Sequence, residues 1–173
     1  MKSTLVVLIS ITCGLAAAHA SADEGQSNGD AVIGKWFTEG HKSIVEITKH
    51  DNGKYYGKIA WMKEPVYGPG DPEAGKAKHD RENPDKSLRD RPAMGLPLLN
   101  DFSYNTDKKE WTGGTIYDPE RGKTYKCIMR LEGKTLKVRG YIGTPILGRT
   151  TEWTRATKED LKRIQQAKKD NQN

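Results

Sequence analysis

Three side chains near one bend could recognise a ligand. Arg139, Tyr141 and Arg149 flank Gly143-Thr144-Pro145, where two extended segments meet. Alternation along the second segment puts Arg149, Thr151, Trp153 and Arg155 on one face. If Trp153 points inward, Arg149 does too, and a buried guanidinium needs a carboxylate or an anionic ligand. Trp61 shares a face with Tyr55 and Ile59, toward the same interior, and Tyr117 joins them from another strand. An aromatic interior with one or two arginines suits an amphipathic or anionic small molecule. The alternative is internal: Arg149 ties down a long loop through Asp80 or Asp118, with Asn83 as a further anchor.

Catalytic readings are poorer. His41, His50 and His79 each fall in a turn or loop with no nucleophile motif beside them. Zinc is not indicated, because H-x-x-x-H and C-x-x-C spacings are missing. Asp71, Glu73, Asp80, Glu82, Asn83 and Asp85 lack calcium-loop spacing and are diluted by Lys76, Lys78, Arg81 and Lys86. Asp118 and Glu120 could act as a carboxylate pair on a glycoside, but Asp-Pro-Glu-x-Gly is also what a tight turn requires. Cys127 alternates with Tyr125 and Met129, which marks a small core residue rather than a reactive thiol. No catalytic residue, metal ligand or cofactor is therefore assigned.

The 173 residues make one domain. Residues 1–22 have the layout of a cleavable signal peptide: Lys2, an apolar run from Leu5 to Ile11, then small residues with cleavage after Ala22 or Ala20. No other apolar run approaches membrane-spanning length. Residues 23–31 read as a flexible lead-in, 32–155 as the folded body, and 156–173 as a charged helical tail. An exported protein, in the periplasm or released, is expected. The net charge of +6 drops to +5 without Lys2 and is shared between body and tail. That mild excess fits solubility or anionic envelope components better than nucleic acid. With Cys13 in the leader, Cys127 has no disulfide partner.

The positioning elements are short strands. Val32–Thr38, Ser43–Lys49, Tyr55–Met62, Glu110–Asp118, Lys123–Leu131, Thr135–Ile142 and Leu147–Arg155 carry β-branched or aromatic residues with period-two alternation. An eighth is expected near Phe102 to Tyr104. Hairpin-length turns join them, except across Lys63–Leu96, which is proline-rich, charged and without period. The fold class is all-β: a small up-and-down antiparallel barrel of about eight strands, with a long proline-rich loop and a short C-terminal helix. Thr157 and Asp160 form a helix-start box for that helix.

Several motifs, in this order, resemble the exported bacterial family called domain of unknown function 2147. They are Gly34-Lys35-Trp36, Tyr56-Gly57-Lys58-Ile59, Asp80-x-x-Asn83-Pro84, Gly113 to Tyr125, Arg139 to Gly143, Gly148-Arg149-Thr150 and Trp153-x-Arg155. The resemblance implies an envelope location and a single compact domain, and it carries no reaction. Gly34-x-Trp36 with Arg155 is also similar to lipocalin-like barrels, in which a late arginine packs across the first-strand tryptophan and closes the base. On that likeness Trp36 and Arg155 are closure residues, with Trp153 beside them, while the reading of the strands makes Trp61, Tyr117, Arg139, Tyr141 and Arg149 the ligand candidates. The expected function is a non-enzymatic periplasmic binding module for a small hydrophobic, amphipathic or anionic ligand. An envelope interaction protein binding cell wall, membrane surface or a protein partner is the alternative, and a cell-wall hydrolase a weaker one.

Overall fold

The computed structural model describes residues 28–170. The strands are β1 (Gly34–Phe37), β2 (Ser43–Lys49), β3 (Tyr55–Met62), β4 (Pro97–Asn105), β5 (Glu110–Asp118), β6 (Lys123–Glu132), β7 (Thr135–Tyr141) and β8 (Arg149–Arg155). They pair in sequence order, all antiparallel, and β8 pairs back onto β1 to close the barrel. Closure rests on two register pairs, Trp36 with Arg155 and Phe37 with Thr154, and joins the first and last strands of the barrel. The helix α1 (Lys158–Asp170) follows, started by Thr157 Oγ1 accepting from the Asp160 N–H while the Asp160 carboxylate accepts from Thr157. It buries no residue.

Alternation in the sequence becomes inside and outside in the barrel. Cys127 and Met129 on β6, Leu136 and Val138 on β7 and Trp153 on β8 are buried in one core with Val45, Ile47, Leu99, Phe102 and Trp111. Burial pushes the Cys127 thiol up to about 12, which suits a core residue.

The closed end has a defined lock. Trp36 is fully buried, and its indole N–H donates to the Val32 carbonyl at 2.8 Å. The Arg155 guanidinium lies over the Trp36 ring at 4.2 Å and donates to the carbonyls of Ile33 and Ala31. A Cβ on Gly34 would stand 2.7 Å from an Arg155 nitrogen, and φ there is +130°, so the glycine admits the arginine. Trp36 and Arg155 are also register partners.

In its described part, the expected lead-in is a plug instead of a flexible stretch. Asn28–Val32 is a 3-10 turn. The Gly29 carbonyl accepts from the Trp111 indole, and Asp30 accepts from Tyr55 Oη at 2.6 Å and Lys49 Nζ at 2.9 Å. Small polar residues look like a linker when read alone, but here they cap aromatic donors. The expected signal peptide and its cleavage points lie outside the described residues, and among those described no helix is long and apolar enough to cross a membrane.

Candidate functional site

The end opposite the plug is open. A cavity of about 990 Å³ spans that half of the barrel and the space between the connections at its mouth. Its wall is apolar: Ile59 and Met62 from β3, Leu98 from β4, Ile116 and Tyr117 from β5, Tyr125 from β6, Val138 from β7 and Trp153 from β8. Four connections form the mouth, namely 38–42, 63–96, 119–122 and 142–148.

The 63–96 segment has little regular structure, yet it is ordered by specific bonds. Asp80, with no exposure at all, accepts from Tyr117 Oη at 2.6 Å, Asn83 Nδ2 at 2.7 Å and Arg91 Nε at 2.8 Å. Asn83 Nδ2 also donates to Tyr117 Oη at 3.2 Å, and Arg89 Nε donates to the Asn83 carbonyl. Burial, then the hydrogen bond to the Asp80 carboxylate, pushes the Tyr117 phenol up to about 12, so it acts as a fixed donor. A second contact lies at Gly122, where a Cβ would fall 1.8 Å from the Glu82 carbonyl oxygen, with φ +61°. The segment is thus fastened to β5 and to the β5–β6 turn, over one side of the mouth.

His79 bolts the same segment internally. Its Nδ1 meets the Arg89 carbonyl at 2.6 Å and its Nε2 the Glu73 carboxylate at 2.8 Å. Both partners only accept, so the doubly protonated ring satisfies both, and the Arg89 carbonyl followed by Glu73 raises the pKa above its ordinary value. A raised histidine pKa adds stability that is complete below about pH 6.5 and fades as pH rises through the folded-state value. Proteolysis within 63–96 is therefore expected to speed up over that rise in wild type. His79→Gln should flatten the profile; a wild-type profile with no such rise would contradict the charged bolt.

The expected site residues separate. Tyr117, Tyr141, Arg149 and Trp153 line the cavity or its rim. Trp153, expected at the closure, lies on the cavity wall, two residues before Arg155, with its indole donating to Thr151 Oγ1. Trp61 is outside. Val45 pairs with Ile59 and Ile44 with Trp61, so Ala60 is an extra residue, a β-bulge that reverses the alternation. Trp61 consequently meets Phe37 edge-on at 6.1 Å on the outer wall, where Phe37 also stacks on His41.

Arg139 is likewise not at the cavity. It follows the inward Val138, and its guanidinium donates to the carbonyls of Pro145 and Ile146 and to Thr150 Oγ1. Arg149 pairs with Glu39 at 2.9 Å, not with Asp80 or Asp118. Asp80 and Asn83 do anchor the loop, with Arg91 as the basic partner. Asp118 does not: it accepts from the Glu120 N–H and pairs with Arg121 at 2.7 Å, completing its own turn.

The rim carries both signs. Lys42, Lys78, Arg81, Arg121 and Arg149 are balanced by Glu39, Asp71, Glu82, Asp118 and Glu120. Arg81 pairs with Asp71, Arg121 with Asp118 and Arg149 with Glu39. Among the described residues, no group of three or more His, Cys, Asp or Glu is placed to hold a metal ion. Leu98, Ile116 and Val138 are additions to the expected site, because an apolar wall residue has the same sequence pattern as a core residue. Tyr67 and His79 sit in a segment with no period to read.

Comparison with known proteins gives a family and a structural likeness. A family model described as "Uncharacterized protein conserved in bacteria (DUF2147)" matches residues 34–155. The chain is similar to a solved structure, protein HP1028 from Helicobacter pylori, described as belonging to the lipocalin family. The identity is 27% and the TM-score 0.63, over 77% of this chain and 88% of that one. No curated protein matches.

Proposed function

The chain belongs to the bacterial family DUF2147, and from that premise we propose that it is a non-enzymatic binding module for a small amphipathic molecule. The observation that carries this reading is the half-filled barrel. One end is packed by the Trp36–Arg155 lock, and the other opens into a cavity of about 990 Å³ that includes its polar rim. That volume is at the upper end of the range for small-molecule sites, about 300–1,000 Å³. The likeness to a structure described as a lipocalin supports the reading. The balanced, internally paired rim favours an apolar body with a neutral or zwitterionic head over a strongly anionic ligand. The signal-peptide layout expected of residues 1–22 supports work in the periplasm.

Native mass spectrometry of the protein purified from periplasm is expected to show a bound small molecule. The delipidated protein should take up one equivalent of an environment-sensitive apolar dye. Ile116→Trp, which puts an indole into the cavity, should weaken that uptake at least ten-fold while the fold stays intact by circular dichroism. A clean apo mass together with no dye uptake would end this reading.

A further inference from the structure

We propose that the β7–β8 turn, Ile142–Gly148, is a docking tip that seats the barrel mouth on an anionic lipid bilayer. The turn presents Ile142, Ile146 and Leu147 at 69%, 86% and 81% exposure, the highest among the exposed large apolar side chains of the described residues. Three such side chains on one seven-residue turn form a wedge that nothing in the fold covers.

The wedge is built to hold its shape. Arg139 donates to the Pro145 and Ile146 carbonyls at 2.7 and 3.1 Å and to Thr150 Oγ1 at 2.8 Å. The N–H groups of Leu147 and Gly148 donate to Thr144 and Pro145. A tip ordered before contact loses little conformational freedom on docking.

Its surroundings fit a headgroup layer. Tyr141 precedes the tip and is the register partner of the exposed Lys126, and Lys123 starts the same strand. Among the described residues, Lys123, Lys126 and Arg139 form no ion pair, in contrast to the paired arginines of the rim. Apolar wedges flanked by tyrosine and unpaired basic side chains are the pattern of interfacial membrane contact. A protein interface of ordinary size uses about 20–30 residues on each side, and this turn offers three side chains. Ile142 and Leu147 also line the cavity mouth. A docked tip would therefore join the apolar layer of the bilayer to the apolar wall of the barrel.

The test reads vesicle binding directly and needs no cavity ligand, so its result is separate from that of the cavity reading. The protein without its leader is floated with vesicles of phosphatidylglycerol and phosphatidylethanolamine, and with vesicles of phosphatidylcholine alone. Binding to the anionic vesicles only, weakening as salt rises, is expected. An Ile146→Trp reporter should shift its emission to the blue on binding. Ile142→Ser, Ile146→Ser and Leu147→Ser together should cut binding at least ten-fold, and Lys123→Glu with Lys126→Glu about ten-fold. Equal binding by the triple variant, equal binding to phosphatidylcholine, or an unshifted reporter would overturn the proposal. So would a vesicle-free dimer that the triple variant abolishes, which would make the tip a contact between copies of this chain.

Discussion

Replacing Asp80 with alanine is expected to free the 63–96 segment from the barrel and to cost on the order of 3 kcal/mol. One buried carboxylate receives donors from Tyr117, Asn83 and Arg91. Removing it leaves the Tyr117 hydroxyl and the Asn83 amide short of a partner and the arginine without a counter-charge. Losing one member of a buried pair costs about 3–5 kcal/mol; the lower end applies because Arg91 reaches solvent. The thermal midpoint should fall by roughly 10 °C, and limited proteolysis should cut first within 63–96. Asp80→Asn keeps the shape and part of the hydrogen bonding, so it should lie between wild type and alanine. An alanine variant that melts as wild type and resists protease would show that the segment is held elsewhere, with Gly122 as the first place to look.

The second large effect is at the closed end. Trp36→Ala is expected to destabilise the barrel by about 3–5 kcal/mol, the range for emptying a buried aromatic site. That is a large share of a total stability of roughly 5–15 kcal/mol. Arg155→Ala should cost less, and Arg155→Lys should recover little of it. Only a planar guanidinium can lie on the indole and reach the Ile33 and Ala31 carbonyls together. In a double-mutant cycle the two positions should couple by about 1 kcal/mol, measured by denaturant unfolding. Strict additivity would mean that the arginine caps the carbonyls without stabilising the ring.

The strands were legible because burial of one face writes a period of two into the residues. β2, β3 and β5 have the bounds expected of them, β6, β7 and β8 differ by one or two residues at one end, and β1 is shorter at both, since Val32 belongs to the 3-10 turn before it. β4 was only hinted at. Its alternation is interrupted by Asp101 at φ +64° and by register shifts against β3, so only Phe102 to Tyr104 stood out. The order of the 63–96 segment was invisible as pattern, since it rests on single bonds from Asp80, His79 and Tyr117 rather than on a repeated face. The candidate site was legible in type more than in place. Aromatics and an arginine do meet the cavity, but Arg139 and Trp61 do not. Arg139 follows the inward Val138 on an unbroken strand, whereas for Trp61 a one-residue irregularity that composition does not show decides the side on which the rest of β3 falls.

Ala60 is that irregularity on β3, and it makes the capacity of the barrel a matter of strand pairing rather than of side-chain size. With the extra residue, Met62 faces the cavity and the indole of Trp61 lies against Phe37 outside. Were Ala60 paired in regular alternation instead, the strand beyond Ile59 would turn over as a unit, bringing the tryptophan in and sending the methionine out. Deleting Ala60 would leave both side chains where they are, because Trp61 would then follow the inward Ile59 directly. The size of the chamber is thus tied to whether one residue is left out of the ladder. A relative with an unbroken β3 of the same length would be expected to hold its tryptophan inside and to take a smaller ligand.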